Sequence, residues 1–284
     1  MQNYCKTIGA LAAASALVAG NASAEVEYNL GTGYSNEYLF RGDNLGQDLV
    51  EVSASVSTEW NGIGLSAGAW YGSFDSSVNP VGSLLEGLGV ASPIPVSQFA
   101  INEYDVDELD LFVEASKDLG FVTATVGYIY YHYENNIDNG SADLVLNLLN
   151  GLSSGGLPGL GSMYDDSQEL YVKLSRDLGF ANAYAVYYWA LEGENDGYSE
   201  LGLSRGFELN QCLTLNLGTN VGYLVEQGID TSWTTKASLD WGFAEHAKLS
   251  PFVALAVQLS DDDDSYTSGF GNELVGGCML STSF

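Results

Sequence analysis

The sequence predicts an all-β fold, a transmembrane up-and-down antiparallel β-barrel of about twelve strands. Three observations predict it. Apolar and polar residues alternate with period two through one segment after another, which is the mark of strands with one apolar and one polar face. One amphipathic hairpin occurs twice, as LDLFVEASKDLGF at residues 109–121 and QELYVKLSRDLGF at residues 168–180. Finally, short turns and longer loops take turns along the chain, which sorts them onto two rims.

Residues 1–24 read as a signal peptide. Lys6 precedes an apolar run from residue 8 to about residue 20, and Ala22-Ser23-Ala24 supplies a small-residue cleavage site. The run is short for a membrane-crossing helix. Residues 25–284 contain no other candidate helical span, so insertion into a membrane must use a closed barrel, which leaves no backbone group unpaired in lipid.

Twelve alternating segments follow the leader, at about residues 25–40, 49–60, 63–74, 107–117, 121–134, 167–176, 180–192, 198–208, 212–225, 232–242, 248–260 and 273–284. Most have the length that a tilted membrane-spanning strand needs. The turns at 61–62, 118–120, 177–179, 209–211 and 243–247 are short and fall on one rim. The loops 75–106 and 135–166 and the acidic stretch 261–272 fall on the other. That asymmetry is expected of an outer-membrane barrel with periplasmic turns and external loops. An even strand count returns both termini to the short-turn side.

Aromatic residues gather toward both rims. Trp70, Tyr71, Phe74, Tyr128, Tyr130, Tyr187, Trp189 and Trp233 belong to the long-loop side, and Trp60, Phe121, Phe180, Trp241 and Phe284 to the short-turn side. Two such girdles suit amphipathic rings at headgroup level. The chain ends on an alternating strand with Leu280, Thr282 and Phe284 on one face. It has the form that outer-membrane proteins present to the barrel-assembly machinery. In the long loops, Leu144, Val145, Leu148, Leu149 and Leu152 follow a possible N-cap at Ser141 to Asp143, and Val81, Leu84, Leu85 and Leu88 share the same helical spacing. Short helices there would form a lid, enter the lumen, or rest on the rim aromatics.

The stretches GYSNEYLFRG (33–42), ELD (108–110), YIYYHYE (128–134) and QELYVKLS (168–175) resemble the TorF-family porins. The resemblance covers the first half of the barrel, and the second half matches in hairpin rhythm alone. It implies an outer-membrane barrel assigned as a porin, with no catalytic residues to carry over. Glu134 departs from it, standing where a proline is expected, and so does the leucine content of the long loops.

Charge restricts the partners. The chain has 37 acidic and 8 basic side chains, a formal net charge of −29. Such a field disfavours nucleic acid and attracts cations, although acidity alone also keeps an exported protein soluble. Cys5 leaves with the leader, Cys212 and Cys278 lie on separate strands, and no Cys/His cluster exists, so neither a disulfide, structural zinc nor another cofactor is expected.

With the apolar face toward lipid, the other face lines the interior. It carries Glu27, Glu37, Glu51, Glu59, Asp110, Glu114, Glu169, Glu200 and Asp240 against Arg41, Lys173 and Lys236. Small residues lie between them, among them Ser53, Ser55, Ser57, Gly64, Ser66, Gly68, Thr123, Thr125, Gly127, Gly218 and Gly222, which suggests a narrow wet passage; a charge-paired closed lumen is the other reading. Catalysis is not expected. His132 and His246 are far apart in this topology, and the GxSxG at residues 151–155 is not on a strand-turn-helix elbow. A serine beside His132 would be needed for a lipase-like site, and no spacing singles one out. The acidic run 261–264 lacks the ligand spacing of a calcium loop. The expectation is therefore a Gram-negative-type outer-membrane channel for passive diffusion of small solutes or ions, cation-preferring, with membrane lipid as its surroundings. A non-conducting structural or surface-binding barrel is the rival.

Overall fold

The computed structural model describes residues 26–78, 101–136, 166–192, 197–259 and 272–284. The expected signal peptide, the helical spacings in the long loops and the acidic run 261–264 lie outside the described residues. The strands are β1 (Val26–Phe40), β2 (Asp43–Trp60), β3 (Ile63–Val78), β4 (Ile101–Asp118), β5 (Thr123–Asn136), β6 (Ser167–Asp177), β7 (Asn182–Glu192), β8 (Tyr198–Asn210), β9 (Leu213–Leu224), β10 (Ile229–Ala244), β11 (Ala247–Gln258) and β12 (Glu273–Ser283).

Each strand pairs antiparallel with its neighbours in the chain, and β1 pairs with β12 to close the ring. The seam holds Gly31 opposite Ser281 and Tyr34 opposite Cys278. It is finished by reciprocal backbone bonds, Tyr28 N–H to the Phe284 carbonyl at 3.1 Å and Phe284 N–H to the Tyr28 carbonyl at 3.0 Å. The expected twelve-stranded up-and-down barrel is the observed fold.

The repeated hairpin folds the same way twice. Leu119 N–H donates to the Val122 carbonyl at 2.9 Å, and Gly120 N–H donates to Asp118 Oδ1 at 2.7 Å. In the second copy Leu178 N–H donates to the Ala181 carbonyl at 2.9 Å, and Gly179 N–H to Asp177 Oδ1 at 2.7 Å. The aspartate fixes the turn and the glycine takes the positive φ, so Asp-Leu-Gly encodes the reversal locally. Asn61 and Gly62, at φ 51° and 73°, form a two-residue turn of the type that matches strand twist.

One hairpin differs from expectation. Residues 41–48 were expected as a loop; instead β1 and β2 run on to a two-residue turn at Arg41 (φ 54°) and Gly42 (φ 90°). The polar run Asp43-Asn44-Leu45-Gly46-Gln47-Asp48 hides the alternation, and pairing shifts at Tyr38/Leu39 break its period. The continuation departs from the wall in a way that governs the interior.

Outward residues are apolar around the whole ring: Leu30, Val52, Leu65, Val113, Val126, Val172, Leu201, Leu217, Val253 and Leu280 are all exposed large hydrophobics. At ~25 cal/mol per Å² such a belt is unfavourable in water and favourable in hydrocarbon. It is the wall of a barrel that spans a bilayer. Trp60, Phe121, Phe180, Trp241 and Phe284 ring its short-turn end, and Tyr34, Tyr187, Trp189, Tyr223 and Trp233 its other end. Trp70 and Phe74, expected in that second girdle, instead face inward and join the interior.

Val113 is 53% exposed at mid-wall, so Val113→Arg should lower barrel stability by ~2–4 kcal/mol in lipid vesicles. Ser116→Arg, which borders a cavity on the inner face, should fold normally. Urea titration of both variants reads the difference, and equal stability would mean that the belt is not in lipid.

Candidate functional site: the barrel interior

Alternation along each strand turns the acidic residues to the inside, but they do not form one uniform lining. Glu27 and Glu59 stand at the short-turn mouth, beside a cavity of about 670 Å³ shared with Ser57, Ser66, Ser116 and His246. Asp240 lies apart in the same half and is paired with Lys248 at 3.0 Å. Glu37 faces Glu273 of β12. Glu51 accepts a hydrogen bond from Trp70 Nε1 at 2.6 Å. Lys173 and Lys236 lie over aromatic rings, Tyr184 at 5.0 Å and Phe252 at 4.1 Å. Asp110, Glu169, Glu200 and Arg41 converge farther toward the long loops, and Glu114 lies between, accepting from Ser66 Oγ at 2.9 Å.

Arg41 is the centre of that convergence. Its turn lies between β1 and β2, yet its guanidinium reaches Glu169 on β6, across the barrel, with Nη1 to Oε1 at 2.8 Å and Nη2 to Oε2 at 2.6 Å. The fork of two parallel bonds is the geometry a guanidinium makes best with a carboxylate. Aromatic faces enclose the same group: its carbon lies 4.2 Å from the Tyr188 ring centre on β7, 4.6 Å from Tyr198 on β8, and 4.7 Å from Phe40. Ser232 of β10 donates to the Arg41 carbonyl at 3.3 Å. Contacts to β6, β7, β8 and β10 mean that the tip of the first hairpin crosses the interior. Behind it Tyr38, Leu49, Phe74 and Val106 form an apolar core inside the barrel, with Phe40, Leu45, Trp70 and Tyr133 packed on it.

Phenols hold the carboxylates. Tyr133 donates to Glu108 Oε1 at 2.8 Å, Tyr131 to Glu169 Oε2 at 3.0 Å and Tyr198 to Glu200 Oε2 at 3.1 Å. Tyr171 donates to Glu114 and Tyr184 to Glu200. A neutral donor lets an acid remain inside without a counter-charge. Their rings use the inward glycines: Gly127 is paired across strands with Tyr171, Gly202 with Tyr184, Gly68 with Phe112 and Gly277 with Phe252. In each case the ring occupies the space that a Cβ would need. Gly68 and Gly127 were expected among the small residues of a narrow wet passage; the Phe112 and Tyr171 rings lie against them.

Several residues of the site were missed. Glu108 is fully buried on the same face as Asp110, and the alternation of β4 would have found it two positions earlier. Lys248 and Glu273 were likewise legible from period two. The inward Tyr131, Tyr133 and Tyr171 carried the same signal, since they lie on the polar parity of β5 and β6. Glu108 Oε2 and Asp110 Oδ1 are buried with no hydrogen-bond donor among the described residues.

His132 lies on the outer wall at the long-loop end, and His246 is in the β10–β11 turn against Phe284 at 5.8 Å, so the two do not meet. His132 Nδ1 is 2.8 Å from Asp166 Oδ1, and its ring is stacked on Tyr130 at 6.4 Å. Burial pushes the Asp166 carboxyl up, but hydrogen bonds from Tyr130, His132 and the Tyr133 N–H outweigh it and leave it below the usual carboxylate range. Among the described residues His132 is hydrogen-bonded to Asp166 alone, with no serine in the arrangement.

No protein-family profile matches the chain and no curated protein matches it, so the TorF-family resemblance rests on its short motifs. Solved barrels of similar shape include an outer membrane channel from Pseudomonas putida F1, with 10% identity, 93% of this chain and 97% of that chain covered, and a TM-score of 0.48. The P. putida toluene transporter TodX has 11% identity, coverage of 95% and 92%, and a TM-score of 0.48. The KdgM porin has 7% identity, coverage of 90% and 99%, and a TM-score of 0.45.

The glycine–tyrosine pairing is testable by a double-mutant cycle. Gly127→Ala should displace the Tyr171 ring and lower stability by ~1–3 kcal/mol, measured by urea unfolding in lipid. In a Tyr171→Ala background the same change should be nearly neutral, a coupling of ~0.5 kcal/mol or more. Additive effects would mean that the ring does not depend on the glycine.

Proposed function

We propose that the chain is a porin-like channel of a Gram-negative-type outer membrane, for passive diffusion of small solutes or ions, with a preference for cations. The observation that carries this reading is the excess of inward carboxylates inside a closed ring with an apolar outer belt. In a low-dielectric wall, acids at close range repel anions and lower the energy of a cation in transit. Arg41 neutralises one of them, and Lys173 and Lys236 lie against aromatic rings. The preferred solute is small, because the hairpin tip crosses the interior from β1 and β2 to β6 and β10. Export through the periplasm, insertion by the barrel-assembly machinery through the strand that ends at Phe284, and outer-membrane lipid as the surroundings belong to the same reading. Catalysis forms no part of it.

The crossing of the interior by Arg41 favours a second reading, a structural barrel that does not conduct. Planar-bilayer recordings in a salt gradient decide between them. The channel should conduct, with a reversal potential of cationic sign. Replacing Glu51, Asp110 and Glu114 by Gln or Asn should move that potential toward zero at moderate salt, while neutralising residues 261–264 should leave it nearly unchanged. A selectivity carried by the loop acids would refute the assigned lining.

Orientation has its own test. In a chain with Cys212 and Cys278 replaced by serine, Leu119→Cys and Leu178→Cys should react only with reagents admitted to the periplasm. Gly156→Cys should be labelled from outside intact cells. Reversed labelling would overturn the orientation.

A further inference from the structure

The pocket around the Arg41 guanidinium is built mostly by other strands. Glu169, Tyr188 and Tyr198 come from β6, β7 and β8, neighbours in one hydrogen-bonded wall. Tyr131 of β5 orients the carboxylate by donating to Oε2 at 3.0 Å, and Tyr198 is held in turn by Glu200 at 3.1 Å. The wall therefore presents a carboxylate fork and two π-faces to a flat cation. Only Phe40 and Arg41 arrive on the first hairpin, at the end of β1 and in its two-residue turn.

That turn is not at rest by its own preferences. Arg41 has φ 54°, in the left-handed region, which costs a residue with a Cβ ~1–2 kcal/mol. Asparagine or glycine would hold the turn better. An arginine in that position is retained by what its side chain binds, and such a local conflict points to function.

The cluster also carries more acid than its one guanidinium answers. Glu108 is 0% exposed, and its Oε2 has no hydrogen-bond partner among the described residues. Asp110 Oδ1 is in the same condition, close enough to Arg41 and Glu169 to feel both charges.

We propose that this pocket is a binding site for guanidinium-bearing solutes on the passage, and that Arg41 is its exchangeable resident. Resting on the channel reading, it gives that channel a substrate class. With Arg41 seated the interior is narrowed. A solute guanidinium entering the carboxylate fork takes over the same two hydrogen bonds and the same ring faces, and the turn swings clear. No covalent step is involved, and charge is conserved, one cation replacing another. A spherical hydrated ion cannot reproduce the planar fork, so the site separates guanidinium from alkali cations.

The test uses the refolded full-length barrel in detergent, with methylguanidinium as the probe and sodium and urea as controls. Calorimetry on Arg41→Ala should give saturable binding of methylguanidinium and none of urea. Adding Glu169→Gln should weaken that binding about tenfold or more, since a hydrogen bond to a charged group is lost. The native barrel should bind more weakly than the variant, because Arg41 competes. Arg41→Lys, which keeps a cation at the tip but loses the fork, should fall between them and serves if the alanine variant does not fold. In bilayers, Arg41→Ala should conduct more than the native chain, and methylguanidinium should block it where sodium does not.

Equal heats for methylguanidinium and urea in both Arg41 variants would overturn the proposal, whatever the conductance. Binding that survives Glu169→Gln unchanged would overturn it as well. Saturable binding in silent bilayers would uphold the pocket and remove the channel reading instead.

Discussion

Hydrogen-bond closure of the sheet is the constraint on which everything else depends. A backbone N–H or C=O left unpaired in hydrocarbon costs several kcal/mol, so a strand bundle in lipid is stable only as a ring. Here the ring is completed where the first strand meets the last, down to the reciprocal bonds between Tyr28 and Phe284. Closure fixes the parity of every strand, and parity then decides which half of the sequence meets lipid. Val113 and Glu114 are neighbours in the chain, yet they occupy opposite solvents because the sheet has no edge at which to compromise.

Closure also creates the problem of the interior. The inward face must be polar enough to keep strands from inverting, and this chain makes it strongly acidic. Tyrosines answer four of those acids, Glu108, Glu114, Glu169 and Glu200. Each phenol supplies a donor to a carboxylate and a ring to fill the lumen, and for Tyr171 and Tyr184 a glycine on the next strand clears the space for the ring. Arg41 adds a cation at Glu169, and Lys248 adds one at Asp240. A buried ion pair adds little net stability compared with apolar residues of the same shape, but removing one partner costs ~3–5 kcal/mol. The pair therefore fixes where the hairpin tip lies more than it strengthens the barrel.

The period of two made the strands and their faces readable. Asp-Leu-Gly made two turns readable as well, because their hydrogen bonds lie within a few residues of chain. The interior was legible as a set of residues and illegible as an arrangement. Arg41, Glu169 and Glu200 could be assigned to the inner face by parity, but nothing local says that a turn between β1 and β2 will reach β6. Such contacts join residues far apart in the chain, 128 positions for Arg41 and Glu169. Glycine misled for a related reason. At Gly127 the missing side chain looks like empty lumen in the sequence, whereas its cross-strand partner is a tyrosine that uses the gap.

Charge type at the tip carries the last step. A lysine on the same turn would place a positive charge near Glu169, but as a compact, strongly hydrated point with no planar face. The wall offers something more particular: a carboxylate aligned for two parallel N–H bonds, and rings 4.2 Å and 4.6 Å from the guanidinium carbon. Those features recognise a flat, weakly hydrated cation and are of little use to another. They also belong to β6, β7 and β8, strands held side by side by the closed sheet. A rigid receptor on the wall and its ligand on a strained two-residue turn differ in how readily they can move. The fold thus separates the part of the interior that recognises from the part that yields.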